Sequence, residues 1–471
     1  MKKYINQILS LTLLVLVASC SVDDVEPYYQ LTGDNAVRDE KSAQSVLNGV
    51  YDLSREFDIS FFPLHLAAYG NEGVMNGYLS GNKGFNSNTV PVENPFLSNL
   101  YKGHYKIINT ANFLIGKLEE GAAVGLDDER EAGMIAEAKF MRALSYFSLL
   151  RYFGEYYDTS SSYGVVIKSD FSKEIVSLPR NTVQESYDFI IDDLDDAIAN
   201  GPSDISHSFA GKVASQGLKA KVLLYMNAYA QAATLASEVI NNSEGYTLEM
   251  DYASIFTNTY NSSEVLFAPY HGTGSEGGTE MAQVKKTTYS ENLRSLADAQ
   301  VNGVDDGDLG AAVDSTNYDS RFEYAYSDMT KGVNDNGKYP FVSNPDSEGN
   351  TMYHLRLAEI YLVHAEALTR DPNGDLTEAL SSLNTVRVRA NLDPKTSTNT
   401  ATLLEEIRQE KLLELFYENG EPLFDLIRYS ILGDVNAEDI KPSLDQEYKY
   451  ILPIPDRAII GNTNIEQNPG Y

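Results

Sequence analysis

The chain has 471 residues, 42% of them hydrophobic and 22% charged, a balance that is typical of a globular protein and excludes a disordered one. Its formal net charge is −32. Because phosphate binding requires clustered Lys and Arg, this charge argues against nucleic acid as a partner. It is typical of a soluble, self-repelling protein outside the cytoplasm. The 32 tyrosines, with no tryptophan, offer flat faces and hydroxyls to a polar, ring-containing ligand, although helix packing uses the same residue.

The first 20 residues have the pattern of an export signal. Two lysines near the start precede a largely apolar run, Ile8–Val17, which is too short to span a bilayer and predicts a signal peptide over 1–19. The following residues end at Cys20 in a sequence that resembles the bacterial lipobox, in which the cysteine is acylated. We therefore expect lipidation at Cys20, an acidic tether over 20–38 and membrane attachment through the lipid anchor. An ordinary signal peptide with a chance cysteine is the alternative. Since Cys20 is the only cysteine, no disulfide framework or thiolate metal cluster is possible.

Helical periodicity alternates with irregular sequence through the N-terminal half. Apolar residues recur at helical spacing over 39–57, 97–118, 128–153 and 182–198. Thr182 and Glu185 have the pattern of a capping box at the start of the last of these. From 58 to 95 the periodicity disappears, and the stretch is rich in Gly and Asn. It is too long to be a simple connection, so it is a candidate binding loop.

Two segments, 209–243 and 353–392, have the pattern of helical hairpins. In the first, Ala220 and Ala232 are 12 residues apart, the spacing of tetratricopeptide (TPR) repeats, and in the second the corresponding alanines are 14 apart. We predict a mainly α fold, a TPR-like helical hairpin scaffold (an α–α superhelix) with long irregular loop insertions and minor β structure. Ordinary helical hairpins are the alternative. Because the two hairpins are far apart in the chain, the superhelix is expected to be interrupted between them.

The C-terminal part continues with punctuated helices. Pro372 lacks an amide N–H and ends the first helix of the second hairpin, Gly374 takes the turn, and Asp375 begins the next helix. Beyond it, Thr402 and Glu405 are expected to cap one helix that runs on to Tyr429.

The predicted interruption covers 270–350. It begins with a G-x-G-x-x-G pattern at Gly272–Gly277, after a strand-like segment, but Thr279–Ser290 has no apolar face and would not form the helix that a dinucleotide site requires. A flexible loop is preferred. The acidic stretch Asn302–Asp308 could attract Ca²⁺, yet it departs from the EF-hand spacing and is interpreted as a solvated turn. We therefore expect no metal and no other cofactor.

Tyrosines and polar residues in the two irregular segments are the candidate ligand contacts, provided that both segments lie on one exposed surface. The candidates are Tyr69, Asn71, Glu72 and Tyr78 in the first segment and Tyr289, Tyr318, Arg321 and Tyr324 in the second. Stacking of tyrosine on a sugar ring, with polar hydrogen bonds around it, is the chemistry that this composition favours. A packed insertion rich in tyrosine is the alternative.

No catalytic constellation is present in the sequence. The six histidines are scattered without an HExxH motif, and there is no G-x-S-x-G motif. We therefore expect a binding protein and not an enzyme. A surface glycosidase stays as an alternative, because its carboxylate pair is defined by separation in space and not by spacing in sequence. A structural TPR adaptor is a further alternative.

Several motifs along the chain resemble the SusD/RagB family of outer-membrane nutrient-binding lipoproteins of Bacteroidetes. They are Cys20 with its lipobox, Asn109–Asn112, Glu137–Ala143, Leu355–Leu362, Asn384–Ala390, Glu410, Glu414, Glu418, Gly420, Asp425–Arg428, Leu452–Pro455 and Gln467–Tyr471. At two positions the chain departs from the usual pattern, with Glu421 and Tyr429 where Arg and Trp are common. Both are expected to lie in the scaffold.

The resemblance implies a TPR-like scaffold that caps a SusC-like TonB-dependent transporter, and a ligand site on irregular loops, usually for oligosaccharide. It also implies a cell-surface, outer-membrane location. On this basis residues 39–270 form the N-terminal SusD-like helical part and residues 271–471 the C-terminal part, with a loop-rich insertion at 271–350. A peptide, glycopeptide or other nutrient is the alternative ligand.

Overall fold

The computed structural model describes residues 35–75, 84–174, 176–203, 206–272, 287–302, 321, 337–340 and 349–471. Helices dominate: α1 (Glu40–Leu53), α2 (Phe57–Ser60), α3 (Phe62–Tyr69), α4 (Pro95–Glu119), α5 (Asp128–Phe153), α6 (Val183–Asn200), α7 (Lys212–Tyr225), α8 (Tyr229–Ile240), α9 (Tyr252–Thr257), α10 (Glu291–Asn302), α11 (Leu357–Arg370), α12 (Leu376–Arg389), α13 (Thr400–Leu415), α14 (Glu421–Ile431), α15 (Ala437–Ile440) and α16 (Asp456–Gly461). The described residues also form four short strands, β1 (Gly73–Met75), β2 (Val265–Phe267), β3 (Thr287–Tyr289) and β4 (Leu355–Arg356). The predicted mainly α fold with minor β structure is confirmed.

Capping residues explain where the predicted helices begin and end. The helix predicted over 128–153 has those bounds, and Thr182 and Glu185 form the predicted reciprocal capping box of α6. The first helix is shorter than predicted. It ends at Leu53 because the Ser54 hydroxyl donates to the Tyr51 carbonyl (2.6 Å) and the chain turns there. Phe57, placed on the buried face by the prediction, is 50% exposed.

The single long helix predicted from Thr402 to Tyr429 is wrong in two respects. Asn399 is the N-cap of α13, since its side-chain oxygen accepts the Thr402 N–H (3.0 Å). The helix then stops at Leu415, and α14 begins only after a turn in which Tyr417 has φ +58° and Gly420 has φ +74°. Left-handed backbone of this kind ends a right-handed helix.

The helices form one continuous stack in space. Each of the helices α4 to α8 packs on the next, α8 packs directly on α11, and α11 packs on both α12 and α13. The chain therefore leaves the stack after α8 and returns to it at α11. The predicted interruption separates the two hairpins in sequence, but their helices pack directly on each other in space. Strand β2 pairs antiparallel with β4, with Val265 opposite Arg356, and this ladder closes the base of the insertion.

The alanines of the two hairpins sit where helices approach each other. Ala220, Ala232, Ala365 and Ala379 are all fully buried, as the TPR-like interpretation requires. A second, smaller apolar cluster joins α11, α12 and α13 through Leu362, Leu383 and Ile407, among others. These contacts define the scaffold that carries the irregular segments.

The C-terminal tail straps the two halves together. The Leu452 N–H donates to the Tyr152 carbonyl at the end of α5 (2.8 Å), and the Asp456 N–H donates to the Val92 carbonyl before α4 (3.0 Å). Asn468 then donates from its side-chain amide to the carbonyls of Phe153 and Leu452. The prolines of this strap fix its extended backbone, which accounts for the Leu452–Pro455 motif.

None of the described helices has the length and apolar character needed to cross a bilayer.

Gly374 is predicted to be a stability determinant of the second hairpin. A Cβ at this position would lie 2.0 Å from the Leu368 carbonyl oxygen, so Gly374→Ala should force the turn to shift and lower the free energy of unfolding by about 1–3 kcal/mol. Gly116→Ala, in the interior of α4 with open space around its Cβ, is the control and should raise it by about 0.5–1 kcal/mol. Urea unfolding of both variants measures the difference. Equal effects would contradict the proposed steric role.

Candidate functional site

Strands β1 and β3 join the two irregular segments. They pair antiparallel, with Gly73 opposite Tyr289 and Val74 opposite Thr288. Val74 is 41% exposed whereas Met75 is buried, so the outer face of β1 is open to solvent and the inner face packs on the core. The structure thus brings the described parts of the two segments to one place on the surface, as the sequence interpretation required.

The side chain of Asn86 clasps the stem of the first segment. Its amide nitrogen donates to the Met75 carbonyl (3.0 Å), and its side-chain oxygen accepts the Met75 N–H (3.1 Å). Gly84 follows the stem with a left-handed backbone, φ +76°, which favours glycine. A Cβ added at this position would lie 2.4 Å from the Thr89 carbonyl oxygen, so a larger residue does not fit. The backbone on both sides of residues 76–83 is therefore held in a fixed relation.

Ser290 anchors the second segment to the first. Its hydroxyl donates to the Asn71 carbonyl (2.5 Å) and accepts the N–H of Leu293 in the first turn of α10 (3.1 Å). Its own N–H donates to the Glu72 carbonyl (3.1 Å), which extends the ladder by one bond. One serine thereby starts α10 and fixes it against the end of β1.

Three of the predicted ligand residues are buried in contacts with the scaffold. Tyr69 is 1% exposed, and its hydroxyl donates to the Lys449 carbonyl (2.7 Å). Glu72 and Arg321 are fully buried. Asn71 is half-buried and donates from its side-chain amide to the Ile440 carbonyl (2.7 Å). Tyr69, Glu72 and Arg321 therefore hold the irregular segments on the helices and do not face solvent, whereas Asn71 keeps part of its surface exposed.

The structure describes little of the other predicted residues. Tyr78, Tyr318 and Tyr324 fall outside the described residues, as do most of the Gly272–Gly277 pattern and the Asn302–Asp308 stretch. For Tyr289 the structure describes the backbone, in β3 next to β1. Among the described residues, no group of His, Cys, Asp and Glu side chains has the arrangement of a metal site.

Glu72 carries an unusual carboxyl group directly beneath β1. Its Oε2 accepts the Tyr417 N–H (2.5 Å), and within the described chain its Oε1 has no hydrogen-bond partner. Burial raises the pKa of Glu72 to about 8, against the smaller lowering effects of the Tyr417 hydrogen bond and of Lys338. Burial therefore favours the protonated form of the group, and its contact with the Tyr417 N–H holds the turn between α13 and α14.

A buried ion network lies under the same region and ties the insertion to the scaffold. Arg356 contacts three carboxylates, those of Glu264 (2.5 Å), Glu414 (3.0 Å) and Glu418 (2.8 Å). Arg321 of the insertion reaches Glu414 at 3.0 Å. The Glu410 carboxylate lies between Arg321 and Arg387, Glu264 and Glu414 also pair with Arg389, and Lys338 of the insertion pairs with Glu418.

The network keeps the Glu414 carboxylate charged. Burial by itself would raise the pKa of Glu414, but the adjacent guanidinium groups of Arg389, Arg356 and Arg321 hold it well below its ordinary value. An ionised carboxylate shared by three arginines cannot be solvated by water, so it fixes the positions of all three. The network therefore positions the insertion relative to the stack, and it is structural rather than catalytic in character.

Sequence reasoning missed the residues that position this site. Asn86 and Ser290 lie in stretches without periodicity, and the weak signals available were an Asn-rich loop and a serine one residue before a helix. Nothing in the sequence indicates that Asn86 bonds to Met75 or that Ser290 bonds to Asn71.

Asn86→Ala is predicted to loosen the stem of the first segment. Loss of two hydrogen bonds should lower the free energy of unfolding by about 1–3 kcal/mol and speed the exchange of the Met75 amide hydrogen, which hydrogen–deuterium exchange measures. Ser87→Ala is the control, because the Ser87 hydroxyl bonds to the nearby Thr89 side chain and to no other group in the described part of the chain. Unchanged exchange at Met75 in the Asn86 variant would show that the clasp does not hold the stem.

Sequence comparison decides the family. A profile described as the SusD family matches residues 252–471, and a second, described as "Starch-binding associating with outer membrane", matches residues 24–224. The chain belongs to the SusD/RagB family. The matches cover both sides of the site, including the strap, the ion network and β1.

Known proteins along the whole chain agree with this membership. A SusD-like protein of Formosa agariphila is 28% identical over 530 aligned residues, covering 100% of both chains. The starch-binding protein SusD of Bacteroides thetaiotaomicron is 25% identical, covering 77% of this chain and 76% of that protein. A crystal structure of a SusD superfamily protein from B. thetaiotaomicron superposes with a TM-score of 0.75 at 25% identity, over 91% of this chain and 99% of the other.

The two departures from the usual SusD pattern lie in the scaffold, as expected. The Glu421 carboxylate accepts from Arg151 (2.7 Å) and from Lys221 (2.6 Å), and all three side chains are buried. Tyr429 is fully buried, with the Arg370 guanidinium 4.4 Å from its ring centroid. Neither departure reaches the surface formed by β1 and β3.

Proposed function

We propose that this protein is a cell-surface lipoprotein that binds oligosaccharide and passes it to a SusC-like TonB-dependent transporter in the outer membrane. The observation that carries the proposal is the β1–β3 pair, which places the ends of two irregular, tyrosine-bearing segments side by side on a rigid helical stack. A ligand surface needs this combination of variable loops and a fixed support.

The ligand class rests on chemistry and on family. Tyr78, Tyr289, Tyr318 and Tyr324 are proposed as stacking surfaces for sugar rings, with Asn71 at the edge of the site. The buried Tyr69, Glu72 and Arg321 are proposed as positioning residues below it. A relative that is named a starch-binding protein, and a matching profile described as starch-binding, support a saccharide over other nutrients.

Membership of the family supports the proposed location and partner. The profile that matches residues 24–224 is described as associating with the outer membrane. We propose that acylated Cys20 supplies the anchor, that the acidic residues after it serve as a tether, and that the protein acts by binding and not by catalysis. Modest affinity would suit a protein that must release its ligand to a transporter.

The test is a binding panel on the full-length, detergent-solubilised protein. Calorimetric titration with maltohexaose, laminarihexaose and a mixed peptide library should give saturable binding to a glycan. Tyr78→Ala and Tyr289→Ala should each weaken that binding by about tenfold. Tyr448→Ala, at an exposed tyrosine of the C-terminal segment, is the control and should leave it unchanged. A saturable signal with peptides alone would overturn the saccharide assignment, and release of shorter sugars would overturn the non-catalytic one.

A further inference from the structure

A separate pocket opens between the start of α4 and the C-terminal strap. It has a volume of about 470 Å³ and lies among Tyr101, Tyr105, Lys102, Lys168 and Arg457, with Pro455 and Ile465 on its apolar side. Pockets of this size hold ligands of one to a few rings. Neither β1 nor β3 contributes to it.

The pocket is cationic in a strongly acidic protein. Three of its lining residues are Lys102, Lys168 and Arg457, and among the described residues that line it there is no Asp or Glu. The chain as a whole has 68 acidic against 36 basic residues. The positive charge of the pocket is therefore opposite in sign to the net charge of the protein, and it would concentrate anions at this place on the surface.

None of the three cations forms an ion pair in the described part of the fold, where Lys102 and Arg457 are exposed. Many of the buried lysines and arginines are paired at short range, as Lys221 is with Glu359 (2.7 Å). Within the described chain, no carboxylate lies within ion-pair distance of Lys102, Lys168 or Arg457. Lys168 is half-buried, and desolvation lowers its pKa. A half-buried ammonium group without a counter-ion is stabilised when an anion enters beside it.

Two tyrosines give the pocket a stacking surface held in place by the scaffold. The Tyr101 and Tyr105 ring centroids are 4.8 Å apart, and Tyr101 also packs edge-on against Phe153 (5.4 Å). The Tyr105 hydroxyl donates to the Val166 carbonyl (2.8 Å). The Lys168 Nζ lies 5.7 Å from the Tyr105 ring centroid, so charge and ring face the same space.

The opposite wall is equally rigid. Asn462 accepts from the Ser177 hydroxyl (2.7 Å) and donates to the Leu178 carbonyl (2.7 Å), which joins the end of α16 to the segment before α6. These hydrogen bonds fix the two sides of the wall relative to each other, and a wall fixed before binding lowers the entropic cost of binding.

We propose that this pocket is a second saccharide site, specific for a sugar ring that carries a carboxylate or sulfate group. Lys168 and Arg457 bind the anionic group, Lys102 adds to the local field, and Tyr101 and Tyr105 contact the ring. The choice of a saccharide as the ring-bearing anion rests on the proposed function, whereas the preference for an anion rests on the pocket alone.

The test compares matched acidic and neutral probes on the full-length, detergent-solubilised protein. Trigalacturonate or glucose 6-sulfate should bind saturably, and the methyl ester of trigalacturonate or glucose itself should bind at least about tenfold more weakly. Lys168→Gln and Arg457→Gln should each weaken binding of the acidic probe by about tenfold, and added NaCl should weaken it further. Lys173→Gln, at an exposed lysine outside the pocket, is the matched control and should bind as wild type.

Three outcomes would overturn the proposal. One is equal binding of acid and ester, and another is binding that Lys168→Gln leaves unchanged while the protein keeps its melting temperature. The third is inorganic sulfate binding as tightly as trigalacturonate, since the rings would then contribute nothing. Titration of neutral glycans against the Tyr78 and Tyr289 variants reports on the β1–β3 surface separately, so failure at one site is distinguishable from failure at the other.

Discussion

An Arg356→Met variant is expected to lose about 3–5 kcal/mol of unfolding free energy, enough to unfold a marginally stable protein. Arg356 is the arginine that contacts Glu264, Glu414 and Glu418 together, and all four side chains are buried. Methionine has a similar volume and no charge, so cavity formation contributes little. The loss arises because three carboxylates then share fewer cations in a place that water does not reach.

Urea unfolding monitored by circular dichroism measures this loss. Arg38→Met is the matched control, because Arg38 is exposed and its side chain lies outside the network. The control should change the free energy of unfolding by no more than about 0.5 kcal/mol. If the two variants are equally stable, Arg356 is not needed to neutralise the buried carboxylates. The network then does not hold the insertion as described.

Glu72→Gln is expected to become progressively more stable than wild type as the pH rises. The folded-state pKa of Glu72 is raised from 4.5 to about 8, mainly by burial. Between those values the folded protein keeps a proton that the unfolded chain has released, so wild-type stability falls with increasing pH. Glutamine is neutral at every pH and keeps an oxygen that can accept the Tyr417 N–H, so the variant lacks this loss.

The difference between the two proteins should grow by on the order of 4 kcal/mol between pH 4.5 and about 8. Urea unfolding of both proteins across this range measures it, and other groups near Glu72, such as Lys338 and Glu418, cancel because both proteins contain them. Glu93→Gln, at an exposed glutamate, is the control and should follow wild type at every pH. A constant difference for Glu72→Gln would mean that this carboxyl is ionised in the folded protein.

The helices were predictable wherever one apolar face repeats over several turns. Asp128–Phe153 satisfies this condition, and its bounds are those of the prediction. The break between α13 and α14 was missed because apolar residues continue through Leu415 and Phe424, although Asn419, Gly420 and Pro422 between them are the residue types of a turn. The break depends on the left-handed turn at Tyr417, whose N–H bonds to Glu72, 345 residues away in sequence. A local pattern carries no information about such a contact.

The site was predictable only at the level of segments. Composition indicated the two stretches, and the β1–β3 pair places them together. They are not wholly irregular, because α2 and α3 occupy the start of the first and α10 lies within the second. Individual residues were harder to assign, because a charged residue in a loop has the same letter whether it meets a ligand or a buried partner. Arg321 and Glu72 illustrate this, since both lie in irregular segments and both are fully buried in contacts with the scaffold.

The β2–β4 ladder and the direct packing of α8 on α11 have a consequence for how this family diversifies. The insertion between Phe267 and Leu355 starts and finishes at adjacent positions, so the packing of the helices does not depend on the length of the insertion. Doubling a flexible loop between fixed ends costs only about 0.6 kcal/mol. Segments with different binding surfaces can therefore be inserted at this position. Each must supply cations equivalent to Arg321 and Lys338, which pair with the buried Glu414 and Glu418 of the scaffold.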